Sequence, residues 1–75
     1  MPKLPILSAK ELIKILTKLN FEIYSQRGSH IKLIKKSIYG KEIVIIPNHK
    51  AIRKGTLKNI LNKINLSLEQ LLKLL

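Results

Sequence analysis

A two-layer α+β sandwich, running helix, three strands, then two helices, is the fold class that this sequence predicts. Three observations lead to it. One amphipathic segment near the start is opened by a capping pair, three short β-type runs follow with turn residues between them, and two C-terminal segments carry leucine and isoleucine at helical spacing. Three strands joined by tight turns form an antiparallel meander. Helices at either end of such a meander then cover one of its faces, which gives two layers.

The first helix is read from Ser8 and Glu11, a capping-box pair, followed by Ala9, Leu12, Ile13, Leu16 and Leu19 on one stripe through about Asn20. Phe21–Ser25 then alternates, with Phe21, Ile23 and Ser25 on one face and Glu22 and Tyr24 on the other. Arg27 and Gly28 break that pattern. The run His30–Lys36 alternates again, setting Ile31 and Leu33 against His30, Lys32 and Ile34. Tyr39 and Gly40 supply the next turn, and Glu42–Ile46 is an apolar β-branched strand closed by Pro47, which has no N–H for a ladder. Asn48–Gly55 reads as a basic loop. Thr56 is placed to cap a helix bearing Leu57, Ile60, Leu61 and Ile64, and Ser67 with Gln70 opens a last helix carrying Leu68, Leu71, Leu72 and Leu75.

Composition narrows the partners. The 75 residues, read as one domain spanning 1–75, hold fifteen Lys or Arg against four acids (Glu11, Glu22, Glu42 and Glu69), a formal charge of +11. The excess is spread along the chain, so it belongs to a folded surface and not to a tail. Lys10, Lys14 and Lys18 repeat at helical spacing, an arrangement that costs about 0.2–0.5 kcal/mol per like-charged pair in an isolated helix. Nucleic-acid phosphates or an acidic protein partner would offset that cost, whereas the plain alternative is a solvated surface that favours solubility. Cysteine is absent, which fits a reducing cytoplasm. The N-terminus has no signal-peptide pattern, and no apolar run approaches the ~18 residues of a membrane span; a soluble, cytoplasmic protein without a membrane partner is expected.

Several chemistries are poorly supplied. Two histidines without cysteine or aspartate make a poor transition-metal site, and no glycine-rich phosphate loop is present, so neither a metal nor a cofactor is expected. The segment Ser25-Gln-Arg-Gly-Ser-His30 is different, because it sets a cation, a glycine, a hydroxyl and an imidazole at the mouth of a strand. By alternation His30 shares a face with Lys32, away from the helices, and imidazole can act as acid or base near neutral pH. A half-buried surface imidazole is the alternative. Gly28 bends the backbone or lets it approach a phosphate, and Ser29 can hydrogen-bond a phosphate oxygen or simply open the strand. Arg27 and Lys32 are placed to stabilise extra phosphate charge. In the basic loop, His49, Lys50, Arg53 and Lys54 form a second group of phosphate-binding candidates; His49 is either an acid/base group, a phosphate donor or a loop-structuring residue. Backbone N–H groups at Gly55 and Thr56 could also meet a phosphate, and Tyr24 and Tyr39 either stack on unpaired bases or pack.

The element order with a basic surface resembles the double-stranded RNA-binding fold. Two segments, "RGSHIKL" at 27–33 and "IPNHKAIRKGTLKNILNKINLSLEQLLKLL" at 46–75, together with the opening "SAKELIKILTKLNFE", are similar to the HicA (YcfA-like) messenger-RNA interferase toxins of toxin–antitoxin pairs. The joint order of G-S-H entering a strand, P-x-H after the third strand and K-G-T-L opening a helix carries the likeness. Asn20 and Asn65 stand where the family usually has glycine, and asparagine tolerates left-handed backbone better than most residues.

The resemblance implies that His30 is the catalytic residue, that the substrate is messenger RNA cut without a metal, and that a HicB-like antitoxin silences the protein. Two other classes remain open from the residues alone. One is a non-catalytic RNA-binding module with the same fold and charge; the other is an interaction protein whose basic face meets only another protein.

Overall fold

The computed structural model describes residues 3–75. Met1 and Pro2, where the reading of the N-terminus begins, lie outside the described residues. The order is α1 (Ala9–Lys18), β1 (Glu22–Arg27), β2 (His30–Ser37), β3 (Gly40–Pro47), α2 (Lys54–Lys63) and α3 (Leu68–Leu74). One antiparallel sheet in the order β1-β2-β3 carries the helices on a single face, the α+β arrangement expected from the sequence.

The helix ends follow from local chemistry. Ser8 and Glu11 form a full capping box on α1, and Ser67 and Gln70 form its counterpart on α3. At the C-terminus of α1 the Asn20 N–H donates to the Thr17 carbonyl at 3.1 Å and the Phe21 N–H to the Leu16 carbonyl at 3.0 Å. This is a Schellman motif, and Asn20 takes the left-handed position at φ 72°. Helix α2 ends the same way: Asn65 sits at φ 56°, and Asn65 and Leu66 donate to the carbonyls of Asn62 and Leu61. Both asparagines thus fill the position where the resemblance led one to expect glycine.

The core lies between the helices and the helix-facing side of β2 and β3. Ile31 and Leu33 on β2 pair with Ile46 and Val44 on β3, and these four pack with Leu7, Leu12, Ile15, Leu16, Phe21, Ile52, Leu57, Ile60, Leu61 and Leu71. Full burial of one such side chain is worth about 1.5–3 kcal/mol. Ile15 belongs to the buried stripe of α1, whereas Ile13 and Leu19 are only partly covered. The last helix turns Leu71 fully inward and packs Leu68 and Leu74 at the margin, so Leu72 and Leu75 are exposed, contrary to the stripe expected there. The Lys18 ammonium donates to the Leu74 carbonyl at 3.1 Å and ties the end of α3 to α1.

Element boundaries also differ from the sequence reading, and β3 runs Gly40–Pro47, longer at both ends than the expected Glu42–Ile46. Strand β1 runs to Arg27, beyond the expected end at Ser25, because the pairing continues to the Arg27–His30 pair that closes a two-residue turn of Gly28 and Ser29. The second hairpin turns at Ile38 and Tyr39, one residue earlier than expected, with the Tyr39 N–H held by the Ser37 hydroxyl at 3.2 Å. Thr56 does not cap α2. The N-cap is Arg53, which makes no side-chain cap hydrogen bond, and Thr56 lies inside the first turn.

Candidate functional site

The open side of the sheet is built from the residues that alternate with the core. Directly paired residues of an antiparallel ladder share a face. His30 pairs with Pro47 and with Arg27, Lys32 with Ile45, Ile34 with Ile43, and Lys36 with Lys41. This side therefore mixes cations, one imidazole and a strip of isoleucine, and Ile45 is 52% exposed on it while its neighbour Ile46 is 0% exposed.

Strand β1 reaches this arrangement through a bulge. Ile23 pairs with Leu33 and Ser25 with Lys32, so two adjacent residues of β2 face a stretch of three on β1, and Tyr24 is the extra residue. The bulge corrects the expected alternation, because Ser25 leaves the face of Phe21 and Ile23 and joins the open side. Arg27 comes with it, opposite His30. Tyr24 is exposed, with the Lys32 ammonium 5.3 Å from its ring centroid, a cation–π pair.

The turn that delivers His30 is a two-residue hairpin with glycine first, at φ +55°, a backbone conformation that L side chains rarely adopt. No atom stands within 4 Å of a Cβ placed there, so Gly28 serves the turn's backbone and not a close approach within the fold. Just beyond, the Asn48 N–H donates to the Ser29 carbonyl at 2.6 Å, which extends the β2–β3 ladder past Pro47. The same loop is held from two more sides. The His49 N–H donates to the Pro47 carbonyl at 2.9 Å, the Ala9 N–H donates to the His49 carbonyl at 2.9 Å, and the Ile52 N–H donates to the Leu7 carbonyl at 2.8 Å while Ile52 is buried in the core. The stretch read as a basic loop is thus a fixed strap.

These constraints bring His30, His49 and Arg53 together. With Ile45, Pro47 and Thr56 they line one open groove of about 350 Å³ between the sheet and the start of α2. Neither imidazole takes part in the side-chain hydrogen bonds found among the described residues. Of the other candidates, Arg27 and Lys32 flank His30 on the open side, and Gly28 and Ser29 form the turn. Lys50 and Lys54 are exposed on the strap and on the first turn of α2 but do not line the groove. Ile45, Pro47 and Thr56 were not expected in it as lining residues. The available signal was the closing proline, since the residue that ends β3 is the cross-strand partner of the residue that opens β2. Arg53 stands at the N-cap of α2 without a side-chain cap, so the first N–H groups of that helix are left without such a partner beside the groove. Among the described residues no group of three His, Cys, Asp or Glu is placed to hold a metal ion, and no helix is long and apolar enough to cross a membrane.

The family model for the HicA toxin of bacterial toxin–antitoxin systems matches residues 9–66. The chain belongs to the HicA toxin family. The HicA match runs from the first residue of α1 past the Schellman motif of α2, and so takes in the whole sheet, both histidines and Arg53; α3 lies beyond it. Neither the curated proteins nor the solved structures compared with the chain gave a match.

Proposed function

We propose that this HicA-family toxin is an endoribonuclease that cuts messenger RNA by metal-independent acid–base chemistry centred on His30. The observation that carries the reading is the groove itself, where two imidazoles and a guanidinium meet on the basic side of the sheet. Cleavage of RNA without a metal needs a group to take the 2′-hydroxyl proton, the 2′-oxygen to bond to phosphorus, the P–O5′ bond to break, and a proton for the departing 5′-oxygen. Imidazole is the side chain whose ordinary pKa suits either transfer near neutral pH. Arg53 in the groove, with Arg27 and Lys32 beside His30, supplies fixed positive charge where the phosphorane forms. Lys50 and Lys54 extend the cationic track for the backbone, and Ser29 and Gly28 shape the edge over which it passes.

Membership of a toxin–antitoxin family implies a protein antitoxin, and a HicB-like partner is the proposed one. Charge supports it: a +11 chain attracts an acidic surface, and a partner seated over His30 would exclude RNA and neutralise the field together. The cytoplasm, where the substrate resides, is the proposed location, and residues 1–75 are proposed to act as one domain. The test is incubation of the purified protein with messenger RNA in excess chelator, with mapping of fragment ends. Fragments ending in 2′,3′-cyclic phosphate or 3′-phosphate support the reading; RNA that is bound but intact supports the non-catalytic module, for which the exposed Tyr24 and its lysine would be a stacking platform.

A further inference from the structure

We infer that His49 is the general acid of the reaction, protonating the departing 5′-oxygen while His30 takes the proton of the attacking 2′-hydroxyl. The inference rests on the ribonuclease reading above and names the second group it requires. Elimination within the groove is the first argument. A guanidinium and an aliphatic hydroxyl are not side-chain types that exchange a proton near neutral pH, Ile45 and Pro47 have no proton to give, and no carboxylate lines the space. His49 is the remaining side chain of a type able to release and regain a proton near pH 7.

Position is the second argument. The backbone of the strap is fixed on both sides of the imidazole, by the Asn48–Ser29 and His49–Pro47 bonds on one flank and the Ala9–His49 bond on the other. A loop residue held so firmly to the sheet and to α1 keeps its place relative to His30, as a proton-transfer group must. Pro47 is the cross-strand partner of His30, roughly 4.5–5.5 Å away between Cα atoms for such a pair, and His49 lies two residues further on. Both imidazoles therefore stand near Pro47 in the wall of one groove. Attacking and leaving oxygens stand roughly in line on opposite sides of a reacting phosphorus, so an acid and a base that come to one groove from different segments suit the two proton transfers.

The division of labour follows from where each imidazole sits in the chain. His30 opens β2 on the sheet, where Ile45 lines the same groove and offers apolar surface to the nucleoside whose 2′-hydroxyl attacks. His49 lies on the strap that leads to Arg53 and Thr56 at the start of α2, the cation and hydroxyl of the groove that would meet the phosphate and its leaving 5′-oxygen. In the proposed step the 2′-O–H proton passes to His30, the 2′-oxygen bonds to phosphorus, the P–O5′ bond breaks, and the His49 imidazolium proton passes to the 5′-oxygen. The products are a 2′,3′-cyclic phosphate and a 5′-hydroxyl, and the two histidines exchange protons with water to reset.

The experiment compares two short RNAs of one sequence, one with the natural 5′-oxygen at the cleavage site and one with a 5′-bridging sulfur, whose thiolate leaves without protonation. His49→Ala should slow the oxygen substrate by about a hundredfold or more and the sulfur substrate by less than about tenfold, whereas His30→Ala should slow both alike. His49→Gln, which retains bulk and hydrogen bonding, should show the same selectivity, and a thermal melt confirms that each variant is folded. Equal losses on the two substrates for folded His49 variants, or no loss at all, would overturn the acid assignment while leaving His30 in place. If the parent cuts neither RNA the ribonuclease reading itself fails, and if His30→Ala cuts both at the parental rate the placing of the chemistry on His30 fails; in either case the role of His49 falls with it.

Discussion

The two sides of the sheet are made from alternate residues of the same strands, yet they do different work. On the helix side, Ile31, Leu33, Val44 and Ile46 are closed into the core; on the open side, His30, Lys32, Ile43 and Ile45 keep contact with solvent. Nothing in the ladder distinguishes the two, because both sides share every backbone hydrogen bond. The difference lies in what the chain supplies above each. Amphipathic α1 and α2 cover one side, and on the other the hairpin turn and the strap bring Arg27, His49 and Arg53 to the margin. Side chains on the first side are held by packing, whereas those on the second keep contact with solvent, so the two should respond differently to substitution.

The sharpest way to break that comparison is to truncate neighbours. Ile46→Ala, at a fully buried position, should cost about 2–5 kcal/mol in urea unfolding. Ile45→Ala, one residue away on the open side, should stay within about 1 kcal/mol. Similar costs would mean that the open side is as much a part of the core as the other.

A somewhat smaller contrast separates two glycines, one in the turn before β2 and one in α2. Gly28→Ala forces a side chain into the left-handed region of the turn that presents Arg27 and His30 and should cost about 1–2 kcal/mol. Gly55→Ala meets open space inside α2 at no unusual φ and should stabilise by about 0.4–1 kcal/mol. Thermal melts of both variants check the pair.

Helix capping sharpens the comparison further. Ser8→Ala and Ser67→Ala remove capping boxes at residues that do not line the groove and should each cost about 0.5–2 kcal/mol. Arg53→Ser supplies the missing cap of α2 and should stabilise by up to about 1 kcal/mol, while RNA retention at low salt weakens because a groove cation is lost. A gain in both stability and RNA binding would contradict the placement of Arg53 in the site.

The smallest expected effect lies in the acid range. The Ser8 backbone N–H, and after it the Ser8 hydroxyl, holds the Glu11 carboxyl below its ordinary value. A carboxyl lowered in the folded state contributes stability that is present above the unfolded pKa and is lost as pH falls through the folded one. Glu11→Gln keeps the acceptor, as Gln70 does in the box of α3, and removes the titration. The parent should therefore lose melting temperature relative to Glu11→Gln as pH drops below about 4; parallel curves would show that the box does not titrate.

The parts of this molecule that could be read from its sequence are those fixed by near neighbours. Capping boxes at Ser8 and Ser67, the asparagines at both Schellman motifs, and the alternation that puts Ile31 and Leu33 opposite His30 and Lys32 all depend on residues within one turn or one pleat. The bulge at Tyr24 does not. It carries no glycine or proline to mark it, and it arises from the register that β1 must keep with β2 once Phe21 is buried, so the placement of Ser25 and Arg27 on the open side was hidden. Thr56 looked like a cap because its residue type favours one, but burial of Ile52 and the strap's bonds to Leu7 and Ala9 set the start of α2 three residues earlier, at Arg53. The meeting of His30 with His49 depends on the pairing of His30 with Pro47, a contact between strands that no local pattern announces.

The central claim is that His30 belongs to chemistry and not to the fold. The most direct measurement is a side-by-side assay of the parent and His30→Ala, with equilibrium unfolding, RNA binding and RNA cleavage in excess chelator on the same preparations. Unchanged unfolding within about 0.5 kcal/mol, retained RNA binding and cleavage reduced by about a hundredfold or more are the predicted result. Cleavage at the parental rate by the folded variant would contradict it.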